Sequence, residues 1–182
     1  MKRGLYCFFL VACVALLILG VIQAKRSRRF ALKQDLSAPD FALVDARGKR
    51  VTNLDLLGSK YGLIFVRAEC DYCFEELKQL SELLRAHEGK VDLLLVSLSD
   101  QKMTERISEK VGQALDFYTA SSETLSRLNV SSLPMLVLID ELGRVSYLQV
   151  GVRSTDFQKL IFDRFVRGES LTEEAIRAIY QP

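Results

Sequence analysis

Histidine occurs once in the 182 residues, cysteine four times, and residues 1–29 contain no acidic side chain. Each scarcity excludes something. Four cysteines are too few for a disulfide-stapled scaffold. Cys7 and Cys13 fall in an apolar N-terminal run, where they read as small apolar filler. Cys70 and Cys73 therefore stand as the one pair in the rest of the chain. A single C-x-x-C supplies two of the usual four zinc ligands, and the lone His87 is expected at the far end of the following helix, as a solvated helix-end residue. No metal site is expected. The missing acids at the N-terminus conceal a charge asymmetry. Six Lys/Arg lie in residues 1–29, which leaves 19 against 23 Asp/Glu, a formal −4, for the remainder. A domain of that sign gives no electrostatic case for nucleic-acid binding. Neither an internal repeat nor a low-complexity tract is visible.

What is present begins with Met1-Lys2-Arg3 and the uncharged run Gly4 to Ala24. As a helix, that run would span about 30 Å, the thickness of a bilayer core. A cleaved signal peptide starts in the same way, but cleavage after Ala24 puts Ile22 where a small residue is wanted, and the run is longer than a usual signal core. A retained membrane anchor is the expectation for residues 1–24. Leu10-Val11-Ala12-Cys13 resembles a lipoprotein box, yet the apolar run continues past Cys13, which argues against it. Residues 25–37 read as a basic linker. The flank Lys25, Arg26, Arg28, Arg29 is only slightly more basic than Lys2, Arg3 and the terminal amine, so charge alone leaves the orientation undecided.

The folded part reads as 38–168, with a short terminal helix in 169–182. Phe41–Val44 and Arg50–Thr52 flank a glycine-containing turn and predict a β-hairpin. Leu54–Gly58 reads as a helical turn. Tyr61–Arg67 and Val91–Ser97 read as buried strands. The first helix runs from Cys70 or Cys73 to Ala86, with Phe74, Leu77, Leu80 and Leu84 at helical spacing. A helix from Asp100 or Ser99 to Val111, a strand at Asp116–Thr119, and a helix from Ser121 or Ser122 to Leu128 follow. Met135–Ile139 and Val145–Val150 form a hairpin, and a helix capped by Ser154 or Thr155 extends to Arg167. Ser170-Leu171-Thr172-Glu173 reads as a capping box. Strands alternating with helices imply an α/β class with a central, mostly parallel sheet covered on both faces.

The chemistry centres on Cys70-Asp71-Tyr72-Cys73 at a strand-to-helix junction. There the helix dipole favours a thiolate. Taken alone, the pair reads as a redox dithiol, a structural disulfide or half of a metal site. Pro134 opens an apolar strand, either as an ordinary strand-start proline or with a cis Leu133–Pro134 bond.

Jointly, C-x-x-C at a helix start, the later proline-led strand, Ala38-Pro39-Asp40-Phe41-Ala42-Leu43, Gly48-Lys49 and Leu133-Pro134-Met135 through Gly143 resemble the thioredoxin superfamily. Within its redoxin group they look like the membrane-anchored TlpA-like thiol-disulfide oxidoreductases. The last stretch is also similar to redoxin-type accessory proteins of methylamine dehydrogenase maturation. The resemblance covers about residues 37–167. It implies a thioredoxin-like fold with a mixed central sheet, flanking helices and an N-terminal β-hairpin extension. It also implies that Cys70 attacks, Cys73 resolves, and Leu133 and Pro134 contact the substrate chain. No cofactor beyond the Cys70–Cys73 disulfide is expected.

Three positions depart from the pattern. Glu69 replaces the usual tryptophan, Asp71-Tyr72 replaces Gly-Pro or Pro-Pro, and Ile64 stands where thioredoxin has its buried acid. Glu69 and Asp71, bracketing Cys70, disfavour its thiolate and predict a reductase-like potential; with Tyr72 they are the expected redox-tuning residues. A peroxiredoxin-type peroxidase needs Thr or Ser where Arg67 stands. Two further readings stay open: an accessory redoxin serving a partner enzyme, and a non-catalytic binding module. Expected partners are protein thiols and disulfides, a membrane electron donor, and lipid through residues 4–24. The dithiol chemistry places the domain outside the cytoplasmic membrane.

Overall fold

The computed structural model describes residues 36–87, 89–112, 114–177 and 179. The expected anchor and most of the linker lie outside the described residues. Among the described residues, no helix is long and apolar enough to cross a membrane.

Seven strands form one sheet: β1 (Ala42–Asp45), β2 (Arg50–Thr52), β3 (Tyr61–Val66), β4 (Asp92–Ser97), β5 (Phe117–Ala120), β6 (Met135–Ile139) and β7 (Val145–Val150). Among the described residues, five helices accompany them: α1 (Asp71–Ala86), α2 (Gln101–Val111), α3 (Ser122–Arg127), α4 (Thr155–Arg167) and α5 (Glu173–Arg177). A 3-10 turn occupies Asn53–Leu56. The spatial order is β2-β1-β5-β4-β3-β6-β7. Only β3–β4 and β4–β5 are parallel; β1–β2, β1–β5, β3–β6 and β6–β7 are antiparallel. The sheet is therefore mixed rather than mostly parallel. The helical connections α1 and α2 build the parallel pairs, and the two hairpins add antiparallel strands at both edges.

Alternation along the central strands divides the core into two layers. Ile64 and Val66 of β3, with Leu136 and Leu138 of β6, face Leu77, Leu80, Ile107, Ile161, Phe162 and Phe165 of α1, α2 and α4. Tyr61, Leu63 and Phe65, with Met135, Val137 and Ile139, face Ala38, Phe41 and Leu128 on the other side. All six residues of β3 are buried, which explains their uninterrupted apolar character. Gly62 is required by packing: a Cβ there would stand 2.7 Å from Leu93 Cδ1 and 3.1 Å from Leu138 Cδ2.

The helix starts are set by side-chain caps. Asp100 Oδ1 accepts from Met103 N–H at 2.8 Å, Ser121 Oγ from Thr124 N–H at 3.1 Å, and Ser154 Oγ from Phe157 N–H at 3.4 Å. The last helix departs from the expected capping box. Thr172 Oγ1, not Ser170, accepts from the first turn, at Ala175 N–H, while Ser170 Oγ accepts from Thr172 N–H. The helix starts two residues later because Leu171 is drawn into the core.

His87 is a clear correction. It is buried rather than solvated. Its Nδ1 lies 2.9 Å from the Leu83 carbonyl and its Nε2 2.8 Å from Asp163 Oδ1. The end of α1 packs on α4, whose carboxylate supplies a partner that sequence spacing cannot show.

Candidate active site

Strand β3 ends at Val66, and the loop Arg67–Cys70 turns the chain into α1. Two hydrogen bonds tie the end of β3 and that loop to the segment that follows β4. Leu98 N–H donates to the Val66 carbonyl at 2.9 Å, and Ala68 N–H donates to Ser99 Oγ at 2.9 Å. Ser99 Oγ in turn reaches Glu69 Oε2 at 3.5 Å. The Ser99 support was not foreseen from the sequence, where Ser99 appears only as a possible helix cap.

Cys70 is the N-cap of α1, and its sulfur accepts from Cys73 N–H at 3.2 Å. The two cysteines form a disulfide, with their Cα atoms 5.2 Å apart. The pair is asymmetric: Cys70 is half-buried, whereas Cys73, one step into the helix, is wholly buried. An incoming disulfide can meet Cys70 but not Cys73. Once reduced, Cys70 would sit at the positive end of a 16-residue helix, where a thiolate is favoured.

Arg67, Glu69, Asp71 and Tyr72 surround the opening and are all exposed. Among the described residues, Arg67 takes part in no ion pair with Glu69. Tyr72 is 69% exposed, so it presents an aromatic face to solvent immediately beside the pair. Lys110 of α2 lies 4.2 Å from the centre of the Phe74 ring, tying the start of α1 to its neighbour.

Pro134 stands at the same end of the sheet. Met135 pairs with Phe65 across β3–β6, so the residue before it lies level with the end of β3. The Leu133–Pro134 peptide bond is cis. The Pro134 carbonyl is occupied by Gly151 N–H at 2.8 Å. Leu133 is half-buried and packs, as Cys70 does, against the core layer that contains Cys73.

The structure adds one residue to those read from the sequence. Glu76, one turn beyond Cys73 on the same face of α1, is completely buried. Its Oε1 accepts from Gln149 Nε2 at 2.9 Å and from Gln158 Nε2 at 2.5 Å. Among the described residues its Oε2 has no hydrogen-bond partner of good geometry, although the Arg153 backbone N–H also favours the carboxylate. Burial pushes its pKa up to about 7; the two glutamine amides favour the carboxylate and offset part of that rise. Ile64 occupies the position at which thioredoxin carries its buried acid. In this chain a buried acid is carried by α1, at Glu76. Its one sequence signal is a charged residue inside the buried stripe Cys73, Leu77, Leu80.

A half-exposed cysteine closed onto a shielded one at a helix start, with a cis-proline at the adjacent strand end, defines a thioredoxin-fold thiol-disulfide oxidoreductase. The Redoxin family model matches residues 33–161. The chain belongs to the redoxin family of the thioredoxin superfamily. The thiol-disulfide oxidoreductase ResA of Geobacillus kaustophilus (strain HTA426) is 28% identical over 123 residues, which is 66% of this chain and 71% of that protein. The thioredoxin domain of a thiol-disulfide oxidoreductase from Bacteroides vulgatus aligns with a TM-score of 0.64 at 20% identity, over 75% of this chain and 99% of that one. A thiol:disulfide interchange protein of the thioredoxin family from Chlorobium tepidum TLS gives 0.62 at 20% identity, over 74% and 98%. These structural likenesses concern the fold.

Proposed function

We propose that this protein is a membrane-anchored reductase of protein disulfides, acting outside the cytoplasmic membrane through Cys70 and Cys73. The observation that carries the proposal is the asymmetry of the pair. One sulfur is open at a helix N-terminus, the other is shielded, and a buried acid sits one turn behind it. Residues 1–24 provide the anchor and 25–37 the linker, with the dithiol domain in 38–168. The pair needs no other cofactor.

In the reduced protein, the Cys70 thiolate attacks one sulfur of a substrate disulfide. A mixed disulfide forms, and the first substrate sulfur leaves as a thiolate that takes a proton from solvent. Cys73 then passes its proton to the Glu76 carboxylate and attacks Cys70 Sγ. The mixed disulfide breaks, the second substrate sulfur leaves as a thiolate that takes a proton from solvent, and the Cys70–Cys73 bond closes. A membrane electron donor returns two electrons to that bond. Leu133 and Pro134 line the approach of the substrate chain, with the Leu133 backbone offered as a strand partner. Glu69 and Asp71 oppose accumulation of negative charge on Cys70 and hold the couple toward the reducing side. Tyr72 supplies apolar contact.

The test is the full-length Cys73→Ser variant expressed in cells. It should accumulate Cys70-linked mixed disulfides that collapse under reductant. The trapped proteins separate a general reductase from an accessory redoxin serving one enzyme. No Cys70-linked adduct with any protein would sink the redox reading in favour of a binding module.

A further inference from the structure

The described chain begins at the end of the sheet opposite the dithiol. Tyr61 pairs with Ile139 and Phe65 with Met135, so the ends of β3 and β6 that carry Cys70 and Pro134 lie together. The turn Asp140–Gly143 closes the other end, five residue steps away along β3, or roughly 17 Å. Leu36 lies at that turn. Its carbonyl accepts from Val145 N–H at 2.9 Å, and Ala38 N–H donates to the Gly143 carbonyl at 2.8 Å.

Three leucines at this turn are open to solvent, Leu36 (52%), Leu57 (52%) and Leu142 (68%), and a fourth, Leu54 (70%), lies in the 3-10 turn that leads into Leu57. They are tied together rather than scattered. Gly58 N–H donates to the Glu141 carbonyl at 2.9 Å. Leu57 Cδ2 would lie 3.1 Å from a Cβ placed on Gly143. The charges beside them neutralise one another in pairs: Lys60 with Glu141, Arg144 with Asp140, Arg164 with Glu169. An apolar cluster of this kind, rimmed by polar groups, marks an interaction surface.

We infer that this leucine pole seats on the lipid surface beside the anchor, so that the Cys70–Cys73 opening faces away from the membrane. The inference rests on residues 4–24 being the anchor. Residues 25–35, even fully extended, reach at most about 40 Å, so the pole is held at high local concentration next to the bilayer. A linker alone would leave the domain free to tumble. Four leucines entering the headgroup boundary fix its direction, as the apolar face of an interfacial helix does. A reductant or substrate must then reach the dithiol from the side remote from the bilayer.

The absence of tryptophan makes the test clean, because one introduced tryptophan is the only one. Full-length Leu142→Trp, Leu54→Trp and Tyr72→Trp variants are reconstituted separately into phosphatidylethanolamine–phosphatidylglycerol vesicles, with and without brominated acyl chains. All three should float with the vesicles. The tryptophans at 142 and 54 should emit to the blue and lose most of their emission to bromolipid, while that at 72 keeps its own. A vesicle-bound chain whose tryptophans at 142 and 54 escape quenching overturns the seat and leaves the anchor standing. That holds whether they remain wet or are covered by Phe30-Ala31-Leu32 or by a second copy. Equal quenching at 72 overturns the orientation. A chain that stays in the aqueous phase overturns the anchor and the seat together.

Discussion

Glu76→Gln isolates the buried acid from every other part of the site. The glutamine keeps a carbonyl oxygen for the Gln149 and Gln158 amides, so shape and acceptor are preserved while the titrating charge is removed. In the folded protein Glu76 holds its proton up to about 7, against an ordinary value of 4.5. Unfolding returns it to water, where it ionises at the ordinary value. Between those pH values the folded state binds more protons than the unfolded one, so stability falls as pH rises. This group's favourable contribution is complete below 4.5 and lost above 7. At about 1.4 kcal/mol per pH unit, and with allowance for relaxation around the carboxylate, the loss is about 2 to 3 kcal/mol. Asp55 and Glu169 shift the other way, downward, through hydrogen bonds with Thr52 and Arg167, so their contributions disappear on acidification, outside this window. Urea unfolding of the oxidised protein and the variant across this range gives the comparison. The wild-type-minus-variant difference should change by about 2 to 3 kcal/mol, in favour of the variant at the alkaline end. A difference that stays constant with pH would refute the assignment of a raised pKa to Glu76. The same pair of proteins tests the proton step. Wild-type disulfide reduction should show an acid limb near pH 7, which the variant lacks.

Gly62→Ala should destabilise by about 1 to 3 kcal/mol in urea, because the new methyl meets Leu93 and Leu138 side chains on a fully buried strand; a neutral result would mean that both leucines re-pack freely. His87→Ala removes both links at the end of α1, to Leu83 and Asp163, and should cost about 1 to 3 kcal/mol while leaving disulfide reduction intact. Loss of activity without loss of stability would give His87 a role at the dithiol that its position opposes. The Glu69→Trp, Asp71→Gly double variant should lower the pKa of the Cys70 thiol and make the couple more oxidising, read by thiolate absorbance and equilibration with glutathione. An unchanged titration would mean that both carboxylates are too well solvated to act on the sulfur.

Local periodicity carried most of the architecture. Tyr61–Val66 reads as a strand because all six residues are buried, and α1 reads as a helix because its apolar residues recur at its spacing. Cys70, Cys73 and Pro134 stood out for another reason: a C-x-x-C at a helix start and a proline at a strand start are local patterns, and the structure brings them to one end of the sheet. The sheet's mixed character was less accessible, because strand direction depends on whether a connection crosses the sheet or turns back on itself. Glu76 and His87 show the harder limit. Each is a polar residue on a helix face that packs inward, and both look like solvated helix residues until their partners are located. Those partners are remote: Gln149 and Gln158 lie more than 70 residues beyond Glu76, and Asp163 lies 76 beyond His87. A buried polar side chain survives only where tertiary structure supplies hydrogen bonds. The groups that make its burial tolerable are therefore the ones a linear reading cannot pair with it. In this chain that gap falls at the mechanism itself. The sulfur atoms proposed to exchange disulfides are visible in the sequence, whereas the acid proposed to move their proton emerges only when α1 is laid against β7 and α4.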